Sequence, residues 1–129
     1  MSEKKILPVL TPKAPQAIGP YSQAIACGDL LFISGQIPLR ADGTFVDGTV
    51  AEQTEQCLKN ILEILRASGL AMDAVVKTTV YMTDLGKFAE MNAVYAKRFS
   101  APFPARATVQ VSALPKSAAV EIDAVAVRP

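Results

Sequence analysis

The sequence predicts an α+β fold in which a mixed β-sheet carries two helices on one face. Two segments have the periodicity of amphipathic helices, and they separate segments that are rich in β-branched or alternating apolar residues. The predicted order of elements is ββαβαββ, and a further short strand is expected near Ile6 to Val9. A chain of 129 residues can bury one core, so residues 1–129 are expected to form a single domain.

The N-terminal third predicts an arm followed by a hairpin. The first twenty residues are rich in proline and end in Gly19-Pro20, which indicates an extended and irregular arm. Gln23 to Cys27 is expected to pair with the apolar run Asp29 to Gly35 across a turn at Gly28-Asp29. The second of these strands is so continuously apolar that it is expected to be buried on both faces.

The first helix is predicted from Thr49, which forms a capping box with Glu52, to Gly69, where a helix favours a residue that can adopt positive φ. Its expected inner face is Val50, Thr54, Cys57, Leu58, Ile61, Leu62 and Leu65. Val75 to Thr83 is rich in β-branched residues and is predicted to be a strand.

The second helix is expected to be capped by Asp84. Its predicted inner face is Leu85, Phe88, Met91, Tyr95 and Phe99. Phe103 onward supplies the last two strands, and the two helices together cover one sheet face. The other face must meet something, and another copy of the chain is the simplest candidate.

Composition excludes several classes of function. The chain has no histidine, which removes Ser-His-Asp and Cys-His catalysis and any histidine-ligated metal site. The formal net charge is +1 and the basic residues are scattered, so nucleic-acid binding is disfavoured. No apolar run is long enough to cross a bilayer and no signal peptide is recognised, so a cytoplasmic location is expected. Cys57 is expected in the core, and no structural disulfide is expected.

The last two strands carry charged residues at alternating positions. Arg106, Thr108 and Gln110 share one side of the first, and Glu121 and Asp123 share one face of the second. A guanidinium can bind a carboxylate through two parallel hydrogen bonds, but Arg106 could equally form a salt bridge between subunits. Glu121 is the main candidate for proton transfer, against a solvated acid on a strand face.

The sequence alone allows two interpretations of several other residues. Tyr21 could direct its phenol into a cleft or simply pack the arm. Ser34 and Gly35 end a strand with little side-chain bulk, which would let a ligand approach the backbone. Asn92 lies at the edge of the second helix's inner face, either as a buried amide or as part of a pocket wall.

Three segments together resemble the Rid family of enamine and imine deaminases, also called the YjgF family. They are APQAIGPYSQAI (residues 14–25), ISGQIP (33–38) and FPARATVQVSALPKSAAVEIDAVAV (103–127). The resemblance implies a chorismate-mutase-like fold assembled as a homotrimer around a central barrel, with active sites between neighbouring subunits. It also implies hydrolysis of 2-imino acids such as 2-iminopropanoate and 2-iminobutanoate to 2-keto acids and ammonia, with no metal or organic cofactor.

The resemblance also assigns roles to residues of this chain. Arg106 would bind the substrate carboxylate, Glu121 would position the water, and Tyr21 would assist them in catalysis. The substrate-binding residues would be Arg106, Thr108, Ser34, Gly35, Asn92 and Ala107. The RidA branch often has cysteine where this chain has Thr108, so thiol chemistry at that position is not expected. Asp123 is expected to be a structural or interface acid, and Phe88 to be core.

Two other classes of function stay open on the sequence. Some relatives have been described as translation inhibitors with ribonuclease activity, and others as non-catalytic trimers that bind small ligands or act as holdases. A deaminase requires both Arg106 and Glu121, whereas a carboxylate-binding module requires only Arg106. RNA binding requires neither residue specifically.

Overall fold

The computed structural model describes residues 5–129, so the first four residues of the expected arm lie outside the described residues. Six strands form one mixed sheet in the order β1-β2-β3-β6-β4-β5. The strands are β1 (Ile6–Val9), β2 (Ala24–Cys27), β3 (Leu30–Gln36), β4 (Val75–Met82), β5 (Ala105–Gln110) and β6 (Val120–Val127). The helices are α1 (Val50–Ala67) and α2 (Phe88–Arg98). The α+β class, the order of the elements and the short strand at Ile6–Val9 are all confirmed.

Strand pairing is antiparallel except between β4 and β5, which run parallel. A parallel pair requires a crossover, and α2 provides it. In the register Thr78 pairs with Arg106, and Tyr81 pairs with Glu121. This register decides which side chains share a sheet face.

Both helices pack on the same face of the sheet, as expected, and the core lies between the two layers. Even-numbered positions of β6, from Val120 to Ala126, are buried there, and Thr78 and Val80 of β4 face the same way. The opposite face, which we call the open face, carries the alternate positions of the same strands. Among residues 5–129, no helix is long and apolar enough to span a membrane.

The expectation that β3 is buried on both faces is wrong. Leu31 and Ile33 are buried beneath the helices, whereas Leu30 and Phe32 are 40% and 45% exposed. The two sides differ because both helices lie on one face and no described element covers the other. A continuous apolar run therefore marks a strand with one apolar face open to a partner.

Helix α1 begins as predicted. The Thr49 hydroxyl accepts a hydrogen bond from the backbone N–H of Glu52 at 3.1 Å, and the Glu52 carboxylate accepts one from the Thr49 N–H at 3.0 Å. Gly69 follows the helix with φ +74°, as expected for a residue that ends a helix. Cys57 is fully buried in the core, also as expected.

The start of α2 differs from the prediction. Asp84 caps a short 3₁₀ turn, Leu85–Lys87, by accepting a hydrogen bond from the Gly86 N–H at 2.8 Å, and α2 begins only at Phe88. Met91, Tyr95 and Phe99 are buried as expected. Phe88 is not core: it is 36% exposed, and Leu85 is 39% exposed, because the 3₁₀ turn holds this end away from the sheet.

The arm is fastened by one buried glutamine. The Gln23 side-chain amide donates to the carbonyl oxygens of Thr11 (3.1 Å), Ala14 (3.3 Å) and Pro15 (2.8 Å), and its oxygen accepts from the Thr11 N–H at 2.8 Å. Backbone groups that lie outside regular elements need such partners when they are buried. Gln23 thereby fixes the path of the arm that leads to Tyr21.

Candidate functional site

Arg106 extends from the edge strand β5 toward α2. Its Nη1 donates a hydrogen bond to Asn92 Oδ1 at 2.8 Å. Its guanidinium carbon lies 4.6 Å from the centre of the Tyr95 ring and 5.5 Å from that of Phe88. The cation is therefore placed by a strand on one side and a helix on the other.

A cavity of about 390 Å³ opens at this guanidinium. It is lined by Asn92, Tyr95, Ala96, Phe103, Pro104 and Arg106. An arginine side chain has five N–H donors, and Asn92 is the only acceptor that Arg106 finds among residues 5–129. The remaining donors are available for a planar anion such as a carboxylate.

The neighbours of Arg106 on β5 divide between the two faces. Thr108 shares the helix face with Arg106, because it pairs with the buried Val80. Its hydroxyl oxygen is buried and has no hydrogen-bond partner among the described residues. Ala107 points to the open face, so its side chain does not line the Arg106 cavity.

Glu121 lies in a second hollow of about 340 Å³. It is lined by Ile18, Tyr21, Ser34, Gly35, Ile37, Pro115 and Glu121. The Glu121 carboxylate is partly buried and makes no hydrogen bond to a described residue. Burial raises the pKa of Glu121, and the negative charge of Asp123 raises it further. The carboxyl is therefore easier to protonate than an exposed glutamate.

A β-bulge brings Gly35 against this carboxylate. The pairing of β3 with β6 shifts register between Ile33 and Gln36, and Gly35 lies in the shift. A Cβ at Gly35 would lie 2.9 Å from the Glu121 carboxyl carbon and closer still to one of its oxygens. Gly35 was expected to let a ligand approach, and the structure shows that the group approaching it is the Glu121 carboxylate.

Ser34 and Tyr21 are held by their own local hydrogen bonds. The Ser34 hydroxyl donates to the Ser22 carbonyl at 2.5 Å, and the Tyr21 hydroxyl accepts from the Ile18 N–H at 3.2 Å. Tyr21 is 48% exposed, so its phenol is open to a ligand as well as to the arm. The structure thus brings Tyr21, Ser34, Gly35 and Glu121 together in one hollow.

Asp123 is tied to the sheet rather than free. It accepts hydrogen bonds from the Tyr81 hydroxyl at 2.9 Å and from the Thr79 N–H at 3.2 Å. Burial, and then the bond to Asp123, raises the pKa of Tyr81. These contacts fit the structural role expected for Asp123, and they keep its charge beside Glu121.

Arg106 and Glu121 lie on opposite faces of the sheet. Their β4 partners, Thr78 and Tyr81, are three positions apart, and an odd separation along a strand reverses the face. The Arg106 cavity and the Glu121 hollow also share no lining residue. One chain therefore presents two half-sites that cannot converge on one small molecule.

Sequence reasoning missed the aromatic support of the arginine. Tyr95 and Phe88 were expected to be core residues of α2, and both lie within 6 Å of the guanidinium. Their spacing with Asn92, at i, i+4 and i+7, could have suggested a shared stripe on the helix. Among residues 5–129, no group of three or more His, Cys, Asp or Glu side chains could hold a metal ion.

Comparison with known proteins identifies what the chain is similar to. The model of the family described as "Endoribonuclease L-PSP" matches residues 11–128. A RutC family protein, y4sK of Sinorhizobium fredii, is 57% identical over 93% of this chain and 96% of its own length. A human protein named 2-iminobutanoate/2-iminopropanoate deaminase is 49% identical over 93% of this chain and 88% of its own length.

The fold is also that of solved relatives. The crystal structure of E. coli TdcF with bound serine superposes with a TM-score of 0.91 at 41% identity. The match covers 95% of this chain and 99% of that one. The two-helix, six-strand architecture is thus shared over almost the whole described chain.

Proposed function

The chain belongs to the endoribonuclease L-PSP family, also called the Rid or YjgF family, and from this premise we propose that it hydrolyses reactive 2-imino acids to 2-keto acids and ammonia. The substrates would be small imines such as 2-iminopropanoate and 2-iminobutanoate. The human relative is named for these two compounds.

The observation that carries the proposal is the pair of half-sites. Arg106 offers free N–H donors to a carboxylate, and Glu121 holds a carboxyl with no partner among the described residues in a separate hollow. An imino acid has a carboxylate at one end and a C=N carbon beside it, so it needs both groups. The serine bound in the TdcF relative carries the same carboxylate next to a nitrogen-bearing carbon.

Because the half-sites face opposite ways, the proposed active site lies between two copies of the chain. Arg106 of one copy and Glu121 of another would then approach the same substrate. We propose a homotrimer, in which each subunit gives one half-site to each neighbour. The exposed apolar side chains of the open face, such as Phe32 and Val109, supply surface for these contacts.

The chemistry follows from the two groups. Arg106 binds the carboxylate through parallel hydrogen bonds and orients the imine. Glu121 accepts a proton from water as the water oxygen bonds to C2, the π electron pair of C=N moves to nitrogen, and Glu121 passes its proton to that nitrogen. In the resulting carbinolamine the C–N bond breaks with its electron pair on nitrogen, and the hydroxyl proton passes through Glu121 to the nitrogen. The products are the ketone and NH3. Tyr21 would hydrogen-bond the water or the departing nitrogen.

The experiment generates 2-iminopropanoate in situ with an amino-acid oxidase and traps the remaining imine with semicarbazide. The protein should slow semicarbazone formation and release pyruvate. Arg106→Ala should lower kcat/KM by about a hundredfold, because it removes a charge-assisted contact to substrate. Arg66→Ala is the matched control, since Arg66 is exposed and, among residues 5–129, pairs only with Glu63. An Arg106→Ala protein as fast as the parent would contradict the proposal.

The same variants separate this proposal from the alternatives. A protein that only binds 2-keto acids would lose binding in Arg106→Ala and show no turnover in either form. An RNA-cleaving protein would act on RNA independently of Arg106 and Glu121. Cleavage of RNA without imine hydrolysis would replace the proposal.

A further inference from the structure

Three residues of α2 form one stripe that faces Arg106. Phe88, Asn92 and Tyr95 stand at positions i, i+4 and i+7, which fall on the same side of a helix. Each contacts the guanidinium: Asn92 through a 2.8 Å hydrogen bond, Tyr95 and Phe88 through their ring faces at 4.6 and 5.5 Å. The Asn92 amide oxygen accepts a hydrogen bond from one guanidinium N–H, whereas the rings occupy none of the N–H donors.

We propose that Phe88 and Tyr95 are positioning residues that hold the Arg106 guanidinium in the orientation that receives the substrate carboxylate. The inference rests on the proposed function, because it assigns a task to Arg106 in that function. Neither ring needs to touch the substrate. The rings act through the arginine, by restricting the rotations of a long side chain before the ligand arrives.

The exposure of Phe88 argues against a purely structural role. Phe88 is 36% exposed and belongs to neither buried cluster, so it contributes little to the core. Its ring nevertheless lies against the cation, within the distance at which a cation and a π-face attract each other. Contact with Arg106 is the interaction that explains an aromatic residue there.

Tyr95 connects the guanidinium to the interior. Its hydroxyl is 2.7 Å from the Thr78 hydroxyl, and its ring packs against Phe99 with centroids 4.5 Å apart. Thr78 is itself the β4 partner of Arg106 across the parallel pair. The ring beneath the cation is therefore fixed at its far end and along its side, which makes it a rigid support.

Such a support has a chemical purpose. An unrestrained arginine loses rotational freedom when it binds a carboxylate, and that loss weakens binding. Stacking on aromatic faces leaves the planar N–H edge uncovered, whereas a salt bridge would occupy it. Aromatic support thus orders the guanidinium without competing with the substrate for its donors.

The test measures binding of 2-ketobutyrate by calorimetry and imine hydrolysis on the same preparations. Phe88→Leu, which removes an exposed ring, should raise the dissociation constant about threefold. Tyr95→Leu should raise it about tenfold or more. Conservative changes that keep the rings should restore binding. Phe88→Tyr should bind as the parent does, and Tyr95→Phe, which keeps the ring but loses its bond to Thr78, should recover most of the affinity that Tyr95→Leu loses. KM should rise more than kcat falls, because the carboxylate contact exists in both ground and transition states.

Val94→Ala is the matched control, since Val94 lies on α2 and packs toward the core away from this stripe. It should leave binding unchanged. If Tyr95→Leu does not fold, Phe88→Leu decides the question, because Phe88 belongs to neither buried cluster. Parental binding by Phe88→Leu, or a loss confined to kcat, would overturn the inference.

The outcome is separable from that of the proposed function. A parent protein that binds 2-ketobutyrate through Arg106 without hydrolysing imines would refute the deaminase activity, yet the ring variants would still weaken binding. A parent protein whose affinity for 2-ketobutyrate does not depend on Arg106 would overturn the inference.

Discussion

Arg106 and Glu121 are prepared for their proposed tasks by opposite means. The arginine is ordered by contacts that leave its donors free, namely two ring faces and one amide. The glutamate is left without a partner among the described residues, in a hollow that raises its pKa. A cation that must bind needs order, and a carboxyl that must exchange a proton needs an unsatisfied site.

The raised pKa of Glu121 predicts the pH dependence. The proposed mechanism uses the ionised carboxylate, so kcat/KM should fall as the pH drops through a pKa above that of an ordinary glutamate. Asp123→Asn removes the neighbouring negative charge, which should lower the pKa of Glu121 and move this acid limb to lower pH. Burial is the larger cause and persists in the variant, so part of the elevation should remain.

The measurement is a pH profile of kcat/KM for the parent and for Asp123→Asn. The asparagine side chain at position 123 can still accept a hydrogen bond from the Thr79 N–H or form one with the Tyr81 hydroxyl, so the fold should be retained. Glu63→Gln, a change on α1 and so on the other side of the sheet from Glu121, should leave the acid limb in place. An acid limb that moves to higher pH in Asp123→Asn would refute this account of Glu121.

Individual site residues were predicted from family motifs rather than from chemistry alone. From the sequence pattern Arg106, Glu121 and Tyr21 each had a structural interpretation as well as a functional one, and the resemblance to the Rid family favoured the functional one. Phe88 was assigned to the core because helical periodicity cannot show that a 3₁₀ turn precedes the helix and lifts its first residue from the sheet. The tertiary position of a helix end is not contained in its local pattern.

Among the elements, the β3 bulge is the one most closely linked to the proposed catalytic carboxyl. Gly35 is in contact with the Glu121 carboxylate, and the added methyl group of Gly35→Ala would occupy the same space. The carboxylate ends a flexible side chain and can move, so the free energy of unfolding should change by only about 1 kcal/mol. The displaced carboxylate should lower kcat by about tenfold to a hundredfold.

A double-mutant cycle checks this prediction. In a Glu121→Ala background the clash no longer exists, so Gly35→Ala should have little further effect on the residual rate. Kinetics and urea unfolding of the four proteins give both quantities. Equal fractional losses of kcat in both backgrounds would show that Gly35 acts independently of Glu121.

The N-terminal arm depends on Gln23. Gln23→Leu would remove four hydrogen bonds and leave buried carbonyl oxygens of the arm without partners. We expect a loss of about 2 kcal/mol or more in the free energy of unfolding. Activity should fall as well, because the arm places Tyr21 in the Glu121 hollow. Urea unfolding monitored by circular dichroism measures the first effect.

Gln16→Ala serves as the comparison, because Gln16 is exposed and its side chain donates one hydrogen bond within the described part of the chain, to the Thr11 carbonyl at 3.3 Å. It should change the free energy of unfolding by less than about 1 kcal/mol. A Gln23→Leu protein that is as stable as Gln16→Ala would show that the arm is held by other contacts.

Element boundaries were predictable to the extent that local signals define them. The Thr49–Glu52 capping box and Gly69 delimit α1 through backbone geometry that a few neighbouring residues control. The buried face of α1 was harder to predict than its ends. Gln53 and Asn60 are buried because their side-chain amides donate hydrogen bonds to loop carbonyl oxygens, those of Val46 and Leu39 respectively. Polar residues buried for such long-range bonds are not distinguished by periodicity.

At the scale of the whole molecule, the decisive feature is strand register. Alternation in the sequence places Arg106 and Thr108 on one side of their strand and Glu121 and Asp123 on one side of theirs. It cannot relate the two sides, because that relation depends on how both strands pair with β4. Only the sheet shows that the proposed carboxylate-binding and proton-transfer groups face opposite ways.

The central claim is that a working site takes Arg106 from one copy and Glu121 from another. Subunit mixing tests it most directly: Arg106→Ala and Glu121→Gln proteins, each expected to have little activity alone, are unfolded together in equal amounts and refolded. Random mixing puts both variants in about three quarters of trimers, each with one intact site, so about a quarter of parental activity should return. A mixture of Arg66→Ala and Arg106→Ala proteins, unfolded and refolded in the same way, measures how much activity refolding itself recovers. Mixed oligomers of Arg106→Ala and Glu121→Gln that stay inactive would contradict the claim.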